Sequence, residues 1–427
     1  MHKIIILALP VEGHFNPFVP VITKLVEKGH KVGCVTGRIF KDRVENAGAA
    51  FYPLPQKWDR SDRDKEVYEI YPELKKKKGL LQIRYYLKHI KYDQVPDILN
   101  LLENVLKHFP ADLIVGDTFM IAGSWMKEMG GPPDVHLSVL PLSLPGKNIA
   151  PFGLGLLPGK SFFSKLRNNL LNTVFEKVLF NDVQIYVNKI RKKVGLPPCE
   201  KSFSITDYVM PDLVLHTSVP DFEYYHDDFP ANFHFIGPVI IPPDNHYKKP
   251  EWWPEIEKDI PVVLISQGTI AKKIDDLIYP AIEALKEEKM IVIAVPIKDV
   301  EIRNLPENTH TAPYIPFGNL LPHVDIMISN GGFGGTQNAL AHGIPVVIAG
   351  ATEDKMEVAA RLENSGAGIN LRKQKPTPAD IRKAVMKILS VPSYKQKAKE
   401  LQTNFAKYDA PTLAVELMEG LIEKKLK

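Results

Sequence analysis

The chain has 427 residues, 44% of them hydrophobic and 24% charged, with a net charge of +4. These values exclude a disordered chain and predict more than one core, since single cores stop growing at roughly 250–300 residues. The two cysteines, Cys34 and Cys199, have no ligand-like spacing, which excludes a disulfide framework or zinc site and makes a reducing cytoplasm the expected compartment; no apolar run approaches the ~20 residues that cross a bilayer.

Met1-His2-Lys3 and the short apolar run after it lack a small-residue cleavage site, so Ile4–Leu9 reads as a first strand rather than a signal peptide. Further strand-like runs follow at Lys31–Thr36, Ala50–Leu54, Leu113–Val115, Val135–Leu140 and Leu213–His216, alternating with helical stretches. That alternation predicts βαβ units and a parallel sheet. Between them lie two long insertions, Gln56–Val95 and Leu142–Pro198, of the kind that carries specificity. The basic run Lys75–Lys78 lacks interleaved aromatics and reads as solvated, not as a nucleic-acid site. A turn-rich stretch from Gly237-Pro238 through Pro242-Pro243 to Trp252-Trp253-Pro254 is the expected linker. The strand rhythm restarts at Val262–Ser266 and Ile291–Val295, with a short strand reaching Tyr314, then Asp325–Ser329, Val346–Ala349 and Gly368–Leu371. The expected organisation is an α/β protein with domains at 1–240 and 261–408, a linker at 241–260, and a final helix within 409–427 returning to the first domain.

His14 and Asp117 each follow a predicted strand of the first sheet, so they can meet at one edge. Histidine titrates near neutrality and can take a proton from a hydroxyl, while a carboxylate on its other nitrogen fixes the tautomer. The alternative is structural: Asp117 capping the next helix and His14 bonding a loop. In the second domain four polar turns fall at one carboxyl edge: Ser266-Gln267-Gly268-Thr269, Tyr314-Ile315-Pro316, Asn330-Gly331-Gly332-Phe333-Gly334-Gly335-Thr336 and Glu353-Asp354-Lys355. Free N–H groups at a glycine-rich helix start suit a diphosphate, an aromatic ring suits a base, and an acid suits sugar hydroxyls. A dinucleotide fingerprint fails, because Gln337 stands where G-x-G-x-x-G needs its third glycine.

With these residues in view, the chain resembles the family-one, nucleotide-sugar-dependent inverting glycosyltransferases of GT-B fold, the group of plant UDP-glycosyltransferases and bacterial macrolide and flavonoid glycosyltransferases. The resemblance rests on Gly13-His14-Phe15-Asn16-Pro17, Phe235-Ile236-Gly237-Pro238, Ser266 to Thr269 and the run Tyr314–Lys355, in which His342-Gly343-Ile344-Pro345-Val346-Val347 precedes Asp354-Lys355. It implies two Rossmann-like domains facing across a cleft, with His14 as base and Asp117, or its neighbour Asp112, as orienting acid. Donor contacts are implied for Gly268, Thr269, Tyr314, Asn330, Gly332, Gly334, Gly335, Thr336, Asn338, Asp354 and Lys355. Asn330 stands in place of a histidine that touches the diphosphate, Asn338 in place of a ribose-binding glutamate, and Lys355 in place of a glutamine. Lys272 or Lys273 is a candidate to restore the missing cation.

The expected reaction moves a hexose from a UDP- or dTDP-sugar to a hydroxyl of a lipophilic small molecule, without a metal or other cofactor. No Asp-x-Asp motif stands where a metal would be needed; Asp62-Arg63-Asp64 lies in an insertion. Phe15, Tyr85, Phe152 and Phe163 are the expected acceptor contacts, although aromatic residues of this kind also serve as helix packing. A monomer or weak dimer is expected, with no nucleic-acid partner. Two other readings stay open: a catalytically silent sugar-nucleotide-binding partner of another transferase, and, less favoured, an epimerase of the same fold.

Overall fold

The continuous Ile, Val and Leu runs form strands covered on both faces, which is the pattern of parallel sheets flanked by helices. A computed structural model describes residues 1–59, 71–77, 79–224, 226, 229–256, 259–268, 273–296, 302–312, 314–352 and 354–426. Its first sheet has the order β3-β2-β1-β4-β5-β6-β7, built from β1 (Lys3–Leu7), β2 (Lys31–Thr36), β3 (Ala50–Pro53), β4 (Leu113–Asp117), β5 (Asp134–Ser138), β6 (Leu213–His216) and β7 (Phe233–Phe235). The second has the order β10-β9-β8-β11-β12-β13, built from β8 (Val262–Ser266), β9 (Ile291–Val295), β10 (Thr309–Thr311), β11 (Ile326–Ser329), β12 (Val346–Ile348) and β13 (Gly368–Asn370). The strand order reverses direction between β1 and β4 in one sheet, and between β8 and β11 in the other. Such switch points open a crevice beyond the carboxyl ends of the strands, because the loops on either side leave in opposite directions.

Sequence expectation and structure differ in three places. β7 was not among the expected strands, being only three residues long and bounded by prolines. The insertions are helical: Leu80–Tyr86 runs on into a π-helical turn at Leu87–Tyr92, and Phe162–Val174 into another at Phe175–Leu179. The stretch expected as a linker is anchored on the second domain. Trp253 is buried in that domain's core, Trp252 and Tyr247 pack against it, and Asp244 exchanges hydrogen bonds with Asn319.

The final helix, Ala410–Leu426, places Ala414, Val415, Met418 and Ile422 in the core of the first domain. Glu419 on its outer side bonds Lys28 at 2.8 Å and His30 at 2.9 Å. The chain therefore passes between domains twice, and the two passages touch at Gly237. A Cβ on Gly237 would stand 2.2 Å from the Cβ of Tyr408, and its φ of +82° is left-handed, so only glycine lets the crossing close.

A buried ionic cluster ties the domains together. Arg361, on the Lys355–Ser365 helix of the second domain, bonds Glu223 of the first, Glu357 on its own helix at 3.0 Å, and the Leu142 carbonyl at 2.6 Å. Glu223 also accepts from the Leu142 N–H at 3.2 Å and contacts His216 at 3.1 Å. Burial pushes the Glu223 carboxyl upward, but the Arg361 charge and the hydrogen bonds from His216 and Arg361 outweigh it and hold the group down at about 2.

Because the folded value is depressed, the stabilisation from Glu223 is complete above its ordinary value of 4.5 and drains away as pH falls towards 2. Urea midpoints measured between pH 6 and about 3 should fall, and Glu223→Gln should flatten that fall. Arg361→Met leaves two buried carboxylates without their cation and should cost about 3–5 kcal/mol at neutral pH, read from the same midpoints.

Candidate active site

The candidate residues gather at both switch points. After β1 the chain turns into the short helix Glu12–Phe15, which holds His14, and β4 ends on Asp117. β1 and β4 pair with Leu7 opposite Gly116, so the two residues leave neighbouring strand ends. His14 Nδ1 lies 2.8 Å from Asp117 Oδ2, and Asp117 Oδ1 accepts the Phe119 N–H at 2.7 Å. Asp117 is wholly buried, whereas the His14 side chain keeps 15% exposure. An ionised carboxylate only accepts, so Nδ1 carries its hydrogen and Nε2 is the basic nitrogen. Asp112, the rival acid, sits at the other end of the sheet, where its carboxylate accepts the Lys3 N–H at 2.8 Å.

On the opposite side, Asn330 follows β11 and Gln267-Gly268 follow β8. Asn330 Nδ2 donates to the Gln267 carbonyl, while its Oδ1 is buried without a partner among the described residues. Gly331 has a φ of +91°, and Cβ atoms at Gly331 and Gly350 would strike Ile348 and the Asn330 carbonyl; glycine at both places lets the turn lie against Lys355. The Phe333–Ala341 helix starts at Gly332 with no capping side chain. A Cβ at Gly332 or Gly334 would meet nothing within 4 Å, and one at Gly335 only the Phe317 ring. The first amides of this helix therefore border open space, an arrangement suited to an anionic group. Asp354 stands at the start of the Lys355–Ser365 helix, and Lys355 Nζ lies 3.3 Å from Thr352 Oγ1. Tyr314 presents a ring that is 67% exposed. Thr269, Lys272, Glu353 and the segment Asp62-Arg63-Asp64 lie outside the described residues. Lys273 is described, and its carbonyl accepts from Gln267 Nε2 at 2.6 Å.

Several expected contacts have other surroundings. Phe15 is wholly buried, stacked on Phe40 with ring centroids 4.2 Å apart, and so belongs to the core beneath His14. Phe163 is 79% exposed on the outer face of an insertion helix. Thr336 keeps its place near the helix start, fully buried, with its hydroxyl unpartnered among the described residues. Asn338 has its amide committed: Oδ1 accepts the Ile241 N–H at 3.0 Å, and Nδ2 donates to the carbonyls of Val239 and Gly334 at 3.3 and 2.9 Å. It fastens the strand of chain crossing between domains, which a sequence comparison cannot distinguish from a ribose contact.

A small recess opens between the two domains, lined by Gln82, Ile83 and Tyr86 from the first insertion and by Ala351, Thr352 and Met356 from the second domain. Phe152 lies in the loop beside it, since a Cβ on Gly153 would meet Ile83; Tyr85 instead packs on His89 at 4.6 Å and Tyr71 at 6.0 Å. Glu357, one helical turn from Asp354, accepts the N–H groups of Gly153 and Gly155 at 2.8 and 2.9 Å. The loop of the first domain's insertion and the Lys355–Ser365 helix of the second domain are thus joined by one carboxylate. No sequence signal marked Glu357, because an acid in a first helical turn is commonplace.

The commitment of Asn338 has a measurable consequence. Asn338→Ala should lower stability by about 1–3 kcal/mol, through the orphaned Ile241 amide, yet leave nucleotide affinity unchanged in calorimetric titration. A large loss of affinity at unchanged stability would assign it to the donor.

Residues 281–421 match the family described as the erythromycin biosynthesis protein CIII-like C-terminal domain. The chain is 37% identical to the 4'-demethylrebeccamycin synthase of Lentzea aerocolonigenes, covering 98% of this chain and 99% of that protein. It is 32% identical to UDP-glycosyltransferase 2 of Phaeomoniella chlamydospora, covering 95% and 93%. Among solved structures, the calicheamicin glycosyltransferase CalG4 superposes with a TM-score of 0.75 over 98% of each chain at 20% identity, which supports the shared fold. With the two facing parallel-sheet domains, these matches place the chain in the family-one glycosyltransferases: it is a glycosyltransferase of GT-B fold.

Proposed function

We propose that the enzyme inverts configuration while moving a hexose from a UDP- or dTDP-sugar to a hydroxyl of a lipophilic small molecule. The observation that carries this reading is the 2.8 Å His14–Asp117 pair at the first switch point, across from the open glycine helix start of the second. As the acceptor oxygen attacks the anomeric carbon, His14 Nε2 takes its proton and Asp117 stabilises the resulting imidazolium. The bond from the anomeric carbon to the diphosphate breaks, and its electron pair leaves with the nucleoside diphosphate. One displacement at carbon inverts it. The amides of Phe333, Gly334 and Gly335 receive the departing charge in this scheme, so no metal is called for.

Lys355 supplies the cation that Asn330 cannot. Its side chain leaves the backbone against the Asn330-Gly331 turn, and its neighbour Asp354 is offered to sugar hydroxyls. Tyr314 offers a stacking face for the base and Gly268 a close backbone approach to phosphate, with Thr269 beside it. Acceptor contacts come from the recess: Ile83, Tyr86 and Met356 give it an apolar wall, with Phe152 in the adjoining loop. The UDP-glycosyltransferase name of one relative favours a uridine donor.

His14→Ala should lower transfer by about a hundred- to ten-thousandfold while leaving nucleotide affinity intact. Lys355→Gln should weaken donor binding by about tenfold with little change in acceptor KM. Incubation with UDP- and dTDP-sugars and a panel of aromatic alcohols, with NMR of the product's anomeric centre, tests the reaction itself. A retained configuration would defeat the single-displacement mechanism. If nucleotides raise Tm while no donor yields product or free diphosphate, the catalytic reading fails and a binding partner remains.

A further inference from the structure

The second insertion contains a helix built inside out. Ser161 caps Phe162–Val174 in a reciprocal pair with Ser164, so the start is locally specified. Its inward face is held by amides: Asn168, fully buried, donates to the Asn148 carbonyl and Asn172 to the Ile149 carbonyl, both at 2.8 Å. Its outward face is apolar. At about 3.6 residues per turn, Phe163, Leu166, Leu170 and Val174 recur at helical spacing along one stripe, opposite the two asparagines. Phe162 borders it, and Val178 and Leu179 extend it through the following π-helical turn. All seven side chains are exposed, Leu170 to 63% and Val178 to 70%. A surface helix ordinarily turns such a stripe to the core, so a face reversed in this way marks a contact with something apolar.

The charges beside the stripe indicate what covers it. Lys160, Arg167 and Lys177 are all exposed along this stretch, and no carboxylate of the described residues pairs with them. The stretch's single acid, Glu176, is turned to the protein body, where it accepts from Ser204 at 2.6 Å and Ser202 at 3.4 Å. A second copy of the chain would bring the same cationic rim against this one and be repelled. No helix among the described residues is long and apolar enough to span a bilayer. An apolar stripe rimmed by cations instead has the chemistry of a helix lying in the plane of an anionic membrane surface.

We infer that residues Phe162–Leu179 dock this glycosyltransferase on anionic lipid bilayers. The helix is fastened to Asn148 and Ile149, at the head of the same loop whose Gly153 and Gly155 bond Glu357 beside the recess. Docking sets that loop at the bilayer surface, where lipophilic alcohols concentrate; this consequence rests on the proposed acceptor class, whereas the docking does not.

Sedimentation of the full chain with phosphatidylglycerol-containing vesicles and with pure phosphatidylcholine vesicles tests the inference. The expected result is preference for the anionic vesicles, weakened as salt rises from about 0.05 to 0.5 M. Leu166→Asp with Leu170→Asp should weaken binding at least about tenfold, without altering Tm, since both side chains are already exposed. Lys160→Glu with Lys177→Glu should remove the anionic preference. Absence of binding to either vesicle, or unchanged binding by the aspartate variant, overturns the inference. So does a dimer in analytical ultracentrifugation that the aspartate variant dissolves without any vesicle binding, which assigns the stripe to self-association. None of these readouts requires the natural substrate, so a failed donor screen and a failed docking test remain distinguishable.

Discussion

Arg361 is the point on which the two halves of the active site are fixed to one another. Its guanidinium joins Glu223 and the Leu142 carbonyl of the first domain to Glu357 of the second, away from water. Removing these charges from solvent is expensive, and a hydrophobic substitute could hold two domains together as well. What the ionic arrangement adds is direction. A planar guanidinium with fixed donors accepts only a narrow set of positions, and Glu357, steadied by it, has an oxygen in place for the amides of Gly153 and Gly155. The loop carrying Gly153 and Gly155 is thereby referenced to the helix that begins with Asp354 and Lys355. A displacement reaction needs its partners within about 3–3.5 Å, and small errors in domain position are costly.

The two switch points divide the chemistry by the kind of backbone each presents. The first is rigid: short strands end on buried residues, Asp117 uses both carboxylate oxygens, and Phe15 fills the space under the base by stacking on Phe40. A histidine so supported holds one orientation and one tautomer. The second works by omission. Glycines at 331 and 350 remove side chains so that the Asn330 turn and Lys355 can approach, and those at 332 and 334 leave the helix amides uncovered. In the proposed scheme the basic charge stands on the neighbouring helix, at Lys355, rather than on the turn itself.

Legibility followed the range of the interaction. Strand positions were readable because buried parallel strands demand continuous apolar runs. Asp117 could be placed beside His14 because both close neighbouring central strands. Asn338 and Trp253 were misplaced for a common reason: an amide can bond a ribose or a passing carbonyl, and a tryptophan in a proline-rich stretch can be solvated or buried. Phe15 and Phe163 show the same ambiguity for aromatics. One is core and the other almost fully exposed, although both stand in polar, turn-bounded segments.

The sequence by itself determined the two-domain α/β architecture, the meeting of His14 and Asp117 at one sheet edge, the glycine helix start and the family. These rest on local rules of backbone conformation and strand periodicity, which act within a few residues. Tertiary structure alone decided that Asp112 serves the far end of the sheet, that Asn338 fastens the domain crossing, that Glu357 and Arg361 join the Gly153–Gly155 loop to the Lys355–Ser365 helix, and that the Phe162–Val174 helix turns its apolar face outward. Each of those outcomes depends on which distant group comes within hydrogen-bonding or packing distance, and residue type does not fix that until the chain has closed on itself.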